Sequence, residues 1–93
     1  MITAEQAEKT GLVNAVVPQA ELIGRAESIL NKVKMRAPLA VAAAIKAVNA
    51  AVAFDVNGFE VEIKEFGKCF NTLDFKEGTT AFLEKRKPVF SNK

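Results

Sequence analysis

The sequence predicts an all-α chain, a small bundle of about five helical segments over residues 1–93. Three observations predict it. Helix-start patterns stand ahead of apolar stretches: Thr3 with Gln6, Pro38, and Asp74 with Glu77. Val56, Phe59, Ile63, Phe66, Phe70 and Leu73 recur at alternating steps of three and four, the spacing of one helix face. The β-branched run Leu12–Val17 (LVNAVV) has no second strand to pair with, and a lone strand is not a stable element.

The first helix runs from Thr3 to Thr10. Thr3 and Gln6 form a capping-box pattern, and Gly11 stands where a helix ends in a left-handed residue. Leu12–Val17 then reads as an extended run stopped by Pro18. The second helix, Gln19–Arg36, places Leu22, Ala26, Ile29, Leu30 and Val33 on one face. Lys32, Lys34 and Arg36 lie at its C-terminal end, where the helix dipole favours cations.

Pro38 closes that helix and occupies the first turn of the next. The third helix, Leu39 to Phe54, is apolar on nearly every side, which predicts a buried helix covered on several faces. A chain this small offers too few neighbours to cover it, the second sign, after the unpaired Leu12–Val17 run, that the fold needs a partner.

The fourth helix, Val56–Leu73, carries the apolar stripe, with Glu60, Glu62, Lys64, Glu65 and Lys68 mostly off it and solvated. The stripe serves either as a seam within the domain or as a face turned toward another subunit. Gly58 and Gly67 each weaken this helix by up to about 1 kcal/mol relative to alanine. Packing offsets that, or Gly67 admits a close neighbour. The fifth helix starts at Asp74, with Glu77 reaching back, and buries Phe75, Phe82 and Leu83. Glu84-Lys85-Arg86-Lys87 loads charge onto its last turn before Pro88 stops it.

Composition narrows the function classes. There is no histidine, which removes the commonest general base and metal ligand. The five glycines are scattered and form no phosphate-binding loop. The single cysteine, Cys69, gives neither a disulfide nor a zinc pattern; it is expected in or near the core of a cytoplasmic protein. A net charge of +2 does not call for a nucleic-acid partner, and Lys85-Arg86-Lys87 does not line one helix face. Lys46 and Asn49 interrupt the longest apolar run, so no membrane span is expected.

Three stretches resemble one family. EG-x-x-AFLEKRKP-x-F, from Glu77 to Phe90, is similar to the C-terminal signature of enoyl-CoA hydratases of the crotonase superfamily. Ile2–Pro18 resembles the segment leading out of that family's catalytic domain. Pro38 with the alanine-rich run and Lys46 resembles its P-x-A-x-x-x-x-K helix. The resemblance covers essentially the whole chain and implies that residues 1–93 are the C-terminal helical domain, the oligomerisation domain of the crotonase fold.

The resemblance also accounts for the missing chemistry. In that family two glutamates and a backbone oxyanion hole belong to a ββα spiral domain, which would lie upstream of Met1. It implies no catalytic residue, no metal and no cofactor in this chain, with coenzyme A carried by the substrate. By position it implies that Lys85 contacts the phosphate-bearing adenosine end of coenzyme A and that Phe66 packs by the adenine. Phe82 and Leu83 would cover the acyl pocket or pack on the catalytic domain. The expected partners are an acyl-CoA in the full-length protein and further copies of the chain, without nucleic acid or membrane. The activity of the whole would be hydration of a 2-enoyl-CoA in fatty-acid β-oxidation; these motifs do not exclude a sibling activity such as isomerase, dehalogenase or decarboxylase. The alternative is a free-standing helical module that self-associates through Phe59, Phe66 and Phe70 and ignores coenzyme A.

Overall fold

The computed structural model describes residues 1–93 and contains five α-helices and no strand: α1 (Ala4–Lys9), α2 (Leu22–Lys34), α3 (Pro38–Ala51), α4 (Gly58–Cys69) and α5 (Leu73–Leu83). The all-α expectation holds, and Leu12–Val17 pairs with nothing as a strand. The chain forms two compact units, Met1–Asn31 and Lys32–Lys93.

In the first unit α1 is fixed at both ends by its sequence. The Gln6 N–H donates to Thr3 Oγ1 at 3.2 Å and the Thr3 N–H donates to Gln6 Oε1 at 2.9 Å, which completes the capping box. Gly11, at φ 74°, turns the chain off the helix, with Leu12 N–H donating to the Ala7 carbonyl at 2.9 Å and Gly11 N–H to Glu8 at 3.0 Å. These are the two bonds of a Schellman stop. After Pro18, one 3₁₀ turn (Gln19–Glu21) leads into α2.

The second unit is built on α3 against α4. Pro38 sits in the first turn of α3, as its fixed φ and missing N–H allow. Asn57 caps α4, its side chain accepting from the Glu60 N–H, so the helix begins at Gly58 rather than Val56. Gly58 has a packing role. A Cβ there would lie 2.8 Å from Ala51 Cα and 3.1 Å from Ala51 N. The first turn of α4 therefore crosses the last turn of α3 backbone to backbone. Gly67 has open space around it, so the close approach falls at Gly58 and not at Gly67.

Two expectations about α5 are corrected. Asp74 is not its N-cap. Thr72 is, accepting from the Phe75 N–H at 3.1 Å, and α4 ends at Cys69 instead of running through Leu73. Glu84–Lys87 are not a basic last turn either. The helix ends at Leu83, and Lys85 adopts φ 53° in a second Schellman stop, with Arg86 N–H donating to Ala81 at 3.0 Å and Lys85 N–H to Phe82 at 3.3 Å. Pro88 lies beyond a stop already made.

The helices bury little. Across the chain the buried apolar residues are three alanines, Ala7, Ala50 and Ala81. The expected burial of α3 is not realised: of its apolar residues only Ala50 is buried, and Ile45 and Val48 are exposed. The stripe on α4 is likewise open, with Phe59 79% and Ile63 70% exposed. It is not a seam within this chain.

Candidate functional site

Two features of the second unit are candidates: an apolar face centred on α3 and α4, and a polar clamp that folds the C-terminal residues back onto α5.

The apolar face contains a groove of about 610 Å3. Ala40, Ala44 and Ala47 line it from α3, Glu62, Glu65, Phe66 and Cys69 from α4, and Phe75 from α5. Small residues on α3 make the groove wide, and aromatic residues opposite make it apolar. Phe66 meets Phe70 edge-to-face, with ring centroids 5.1 Å apart, and Phe70 lies 4.6 Å from Phe75. Such pairs fix ring orientation as well as burying area. One ion cluster ties the helices together. Glu65 Oε1 accepts from Lys46 Nζ at 2.6 Å and from Lys68 Nζ at 2.7 Å. The Glu65 side chain is only 12% exposed, so it is not the freely solvated carboxylate its position on the heptad suggests. The Lys46 ammonium, then that of Lys68, holds its carboxyl below the usual glutamate value.

The clamp uses two carboxylates on the first turns of α5. Glu77 takes Arg86 with both oxygens, Nη1 to Oε1 at 2.6 Å and Nη2 to Oε2 at 2.9 Å, and Oε1 also accepts from the Val89 N–H at 2.8 Å. Glu84 takes the Arg86 Nε–H. The Arg86 guanidinium foremost, and the Val89 N–H after it, pull the Glu77 carboxyl down from 4.5 to about 2. Asp74, the one buried charged residue, accepts from the Ser91 N–H at 2.6 Å, from Ser91 Oγ at 3.3 Å and from the Asn92 N–H at 3.1 Å. Its own N–H donates to the Lys93 carbonyl. Phe90 then lies over Gly78, close enough that a Cβ there would touch its ring at 3.5 Å. Glu77, Gly78, Arg86 and Phe90 of the EG-x-x-AFLEKRKP-x-F stretch thus have direct structural duties.

The two site residues expected from sequence fall on different features. Phe66 lines the groove and is 66% exposed. Lys85 sits on the left-handed turn of the clamp, makes no ion pair, and is absent from the groove wall. Phe82 and Leu83, at the end of α5, are both exposed. Sequence reasoning missed Asp74 and Glu77 as clamp residues because both fit a capping pattern equally well. The signal that could have separated them is Thr72, a second cap-forming residue two positions earlier. No group of three His, Cys, Asp or Glu side chains forms that could hold a metal ion, and no helix is long and apolar enough to cross a membrane.

Comparison with known proteins matches residues 1–93 to the family model described as enoyl-CoA hydratase/isomerase. The chain is 42% identical over 87 residues to a short-chain-enoyl-CoA hydratase of Clostridium acetobutylicum, covering 92% of this chain and 33% of that protein. It is 40% identical over 94 residues to a crotonyl-CoA hydratase of Syntrophomonas wolfei, covering 36% of that protein. Among solved structures, an enoyl-CoA hydratase from Bacillus anthracis superposes with a TM-score of 0.91 at 33% identity, over 99% of this chain and 36% of the other. The chain spans about a third of the length of the curated relatives it matches.

Proposed function

Because the chain belongs to the enoyl-CoA hydratase/isomerase family, we propose that it supplies assembly and part of acyl-CoA binding to a hydratase, and not the hydration chemistry itself. The observation that carries this reading is the exposure of the apolar side chains along α3 and α4. Phe59, Ile63 and Phe66 alone leave roughly 400 Å2 of apolar surface in water, taking a phenylalanine or isoleucine side chain as about 200 Å2. That is as large as the biggest patch on an ordinary monomer, and such patches mark interaction surfaces. Covering it is worth about 10 kcal/mol per chain, comparable with the freedom lost on association.

Four carboxylates of the two candidate features, Glu65, Glu77, Glu84 and Asp74, are each held by a cation or by backbone N–H groups of the chain itself, while Glu62 also lines the groove without an ion pair. A general acid or base needs a free proton site facing the reacting atom. Hydration of a 2-enoyl-CoA is accordingly proposed for a longer protein of this family, with this chain covering the site. Within it, Lys85 offers an unpaired ammonium suited to a phosphate of coenzyme A, and Phe66 an exposed ring face suited to the adenine. A chain that supplies assembly sediments above its own 10.1 kDa, with a mass that rises with concentration. A constant 10.1 kDa overturns the reading.

A further inference from the structure

Lys85 stands at a position that disfavours it. Its φ of 53° is the left-handed region, where a residue with a Cβ costs roughly 1 kcal/mol and glycine is the usual occupant. The same stop at the end of α1 uses Gly11. The turn around Lys85 is held from both sides. Behind it, the Schellman bonds tie Lys85 and Arg86 to the end of α5. Ahead of it, Glu77 Oε1 gathers both Arg86 Nη1 and the Val89 N–H, so residues 85–89 form a loop closed on one carboxylate. Lys46 and Lys68 are taken by Glu65, and Arg86 by Glu77 and Glu84, whereas Lys85, like Lys87, makes no ion pair.

We propose that Glu77 is a positioning residue for Lys85: by holding Arg86 with both oxygens it fixes the left-handed turn from which the Lys85 ammonium meets a phosphate of coenzyme A. This rests on the reading of Lys85 given above. A lysine keeps four rotatable side-chain bonds, so its charge is placed only as well as its Cα is. Without Glu77, Arg86 keeps only its bonds to Glu84 and the Lys87 carbonyl and the Val89 N–H loses its acceptor, so residues 86–89 loosen ahead of the Schellman bonds and binding must then order that backbone as well as the side chain. In this role Glu77 acts through residue 85 and not through a contact of its own.

The test is a double-mutant cycle on the 93-residue chain, reading the Kd for coenzyme A by titration calorimetry at low salt. Lys85→Ala should weaken binding about tenfold, the loss of one charge-assisted contact. Glu77→Gln should weaken it about threefold in the native background and not at all in the Lys85→Ala background. Arg86→Lys, which keeps the charge and loses the two-pronged contact, should copy Glu77→Gln and serves if that variant folds poorly. Amide exchange at Lys85 and Arg86 should speed up in both. If Glu77→Gln costs the same with or without Lys85, or costs nothing, the positioning role is wrong while the Lys85 reading stands. If Lys85→Ala binds as the native chain does, or the native chain does not bind coenzyme A, the Lys85 reading falls and the positioning role falls with it.

Discussion

Gly58 and Gly67 lie nine residues apart on α4, and by helix propensity alone each should gain up to about 1 kcal/mol on substitution by alanine. The structure predicts opposite signs. At Gly58 a new Cβ meets Ala51 Cα at 2.8 Å, Ala51 N at 3.1 Å and the Ala50 carbonyl oxygen at 3.2 Å. All three are backbone atoms of α3 and none can swing aside, so the helices must part. Overpacking of this kind costs about 1–3 kcal/mol. The propensity gain is small there because residue 58 is the first of the helix. We therefore expect Gly58→Ala to destabilise by about 1–2 kcal/mol, lowering Tm by roughly 5–15 °C for a domain of this size. At Gly67 nothing lies within 4 Å of the new Cβ. Gly67→Ala should stabilise by about 0.5–1 kcal/mol and raise Tm by roughly 2–8 °C. Thermal and urea melts followed by circular dichroism at one fixed chain concentration read both. A neutral or stabilising Gly58→Ala would refute the α3–α4 crossing. A destabilising Gly67→Ala would refute the open space around Gly67.

Two further predictions concern the clamp. Asp74→Ala removes the acceptor of the Ser91 and Asn92 N–H groups and should cost about 2 kcal/mol; amide exchange at Ser91 and Asn92 should rise well above that of the native chain, and unchanged protection would show that the tail is held some other way. The Glu77 carboxyl titrates near 2 in the folded chain against 4.5 otherwise, so the stability it contributes is whole above about pH 4.5 and is lost as pH falls toward 2. Glu65, lowered by Lys46 and Lys68, adds to the same acid-side loss. Melts from pH 7 to pH 2 should show Tm falling through that window, less steeply in Glu77→Gln; an identical slope would remove Glu77 as a contributor.

Much of the fold is legible in the residues because it is written in local chemistry. Thr3 with Gln6, Gly11 and Pro38 each do what their side chain or backbone dictates within one turn. The boundary between α4 and α5 was misread because the apolar stripe continues through Phe70 to Leu73 while the backbone breaks at Asn71 and Thr72. Periodicity cannot register a break that keeps the spacing. Asp74 and Glu77 carry a capping pattern, yet their partners lie nine to eighteen residues further along, at Arg86, Ser91 and Asn92. Only the fold of the tail shows that. The seam expected within the domain along α4 is not found, since Phe59, Ile63 and Phe66 are exposed, and periodicity alone does not say what an apolar stripe faces. For the candidate site, the family resemblance singles out Phe66 and Lys85 and shows neither the groove beside Phe66 nor the left-handed turn at Lys85.

The central claim is that the open face of α3 and α4 is an assembly surface. Sedimentation equilibrium of the native chain beside Ile63→Asp tests it most directly, since Ile63 lies mid-stripe, 70% exposed, between Phe59 and Phe66. The account predicts a native mass above 10.1 kDa that grows with concentration, and a variant that stays at about 10.1 kDa with its helix content kept. A native chain that remains at 10.1 kDa across the concentration range, or a variant that assembles as the native chain does, would contradict it.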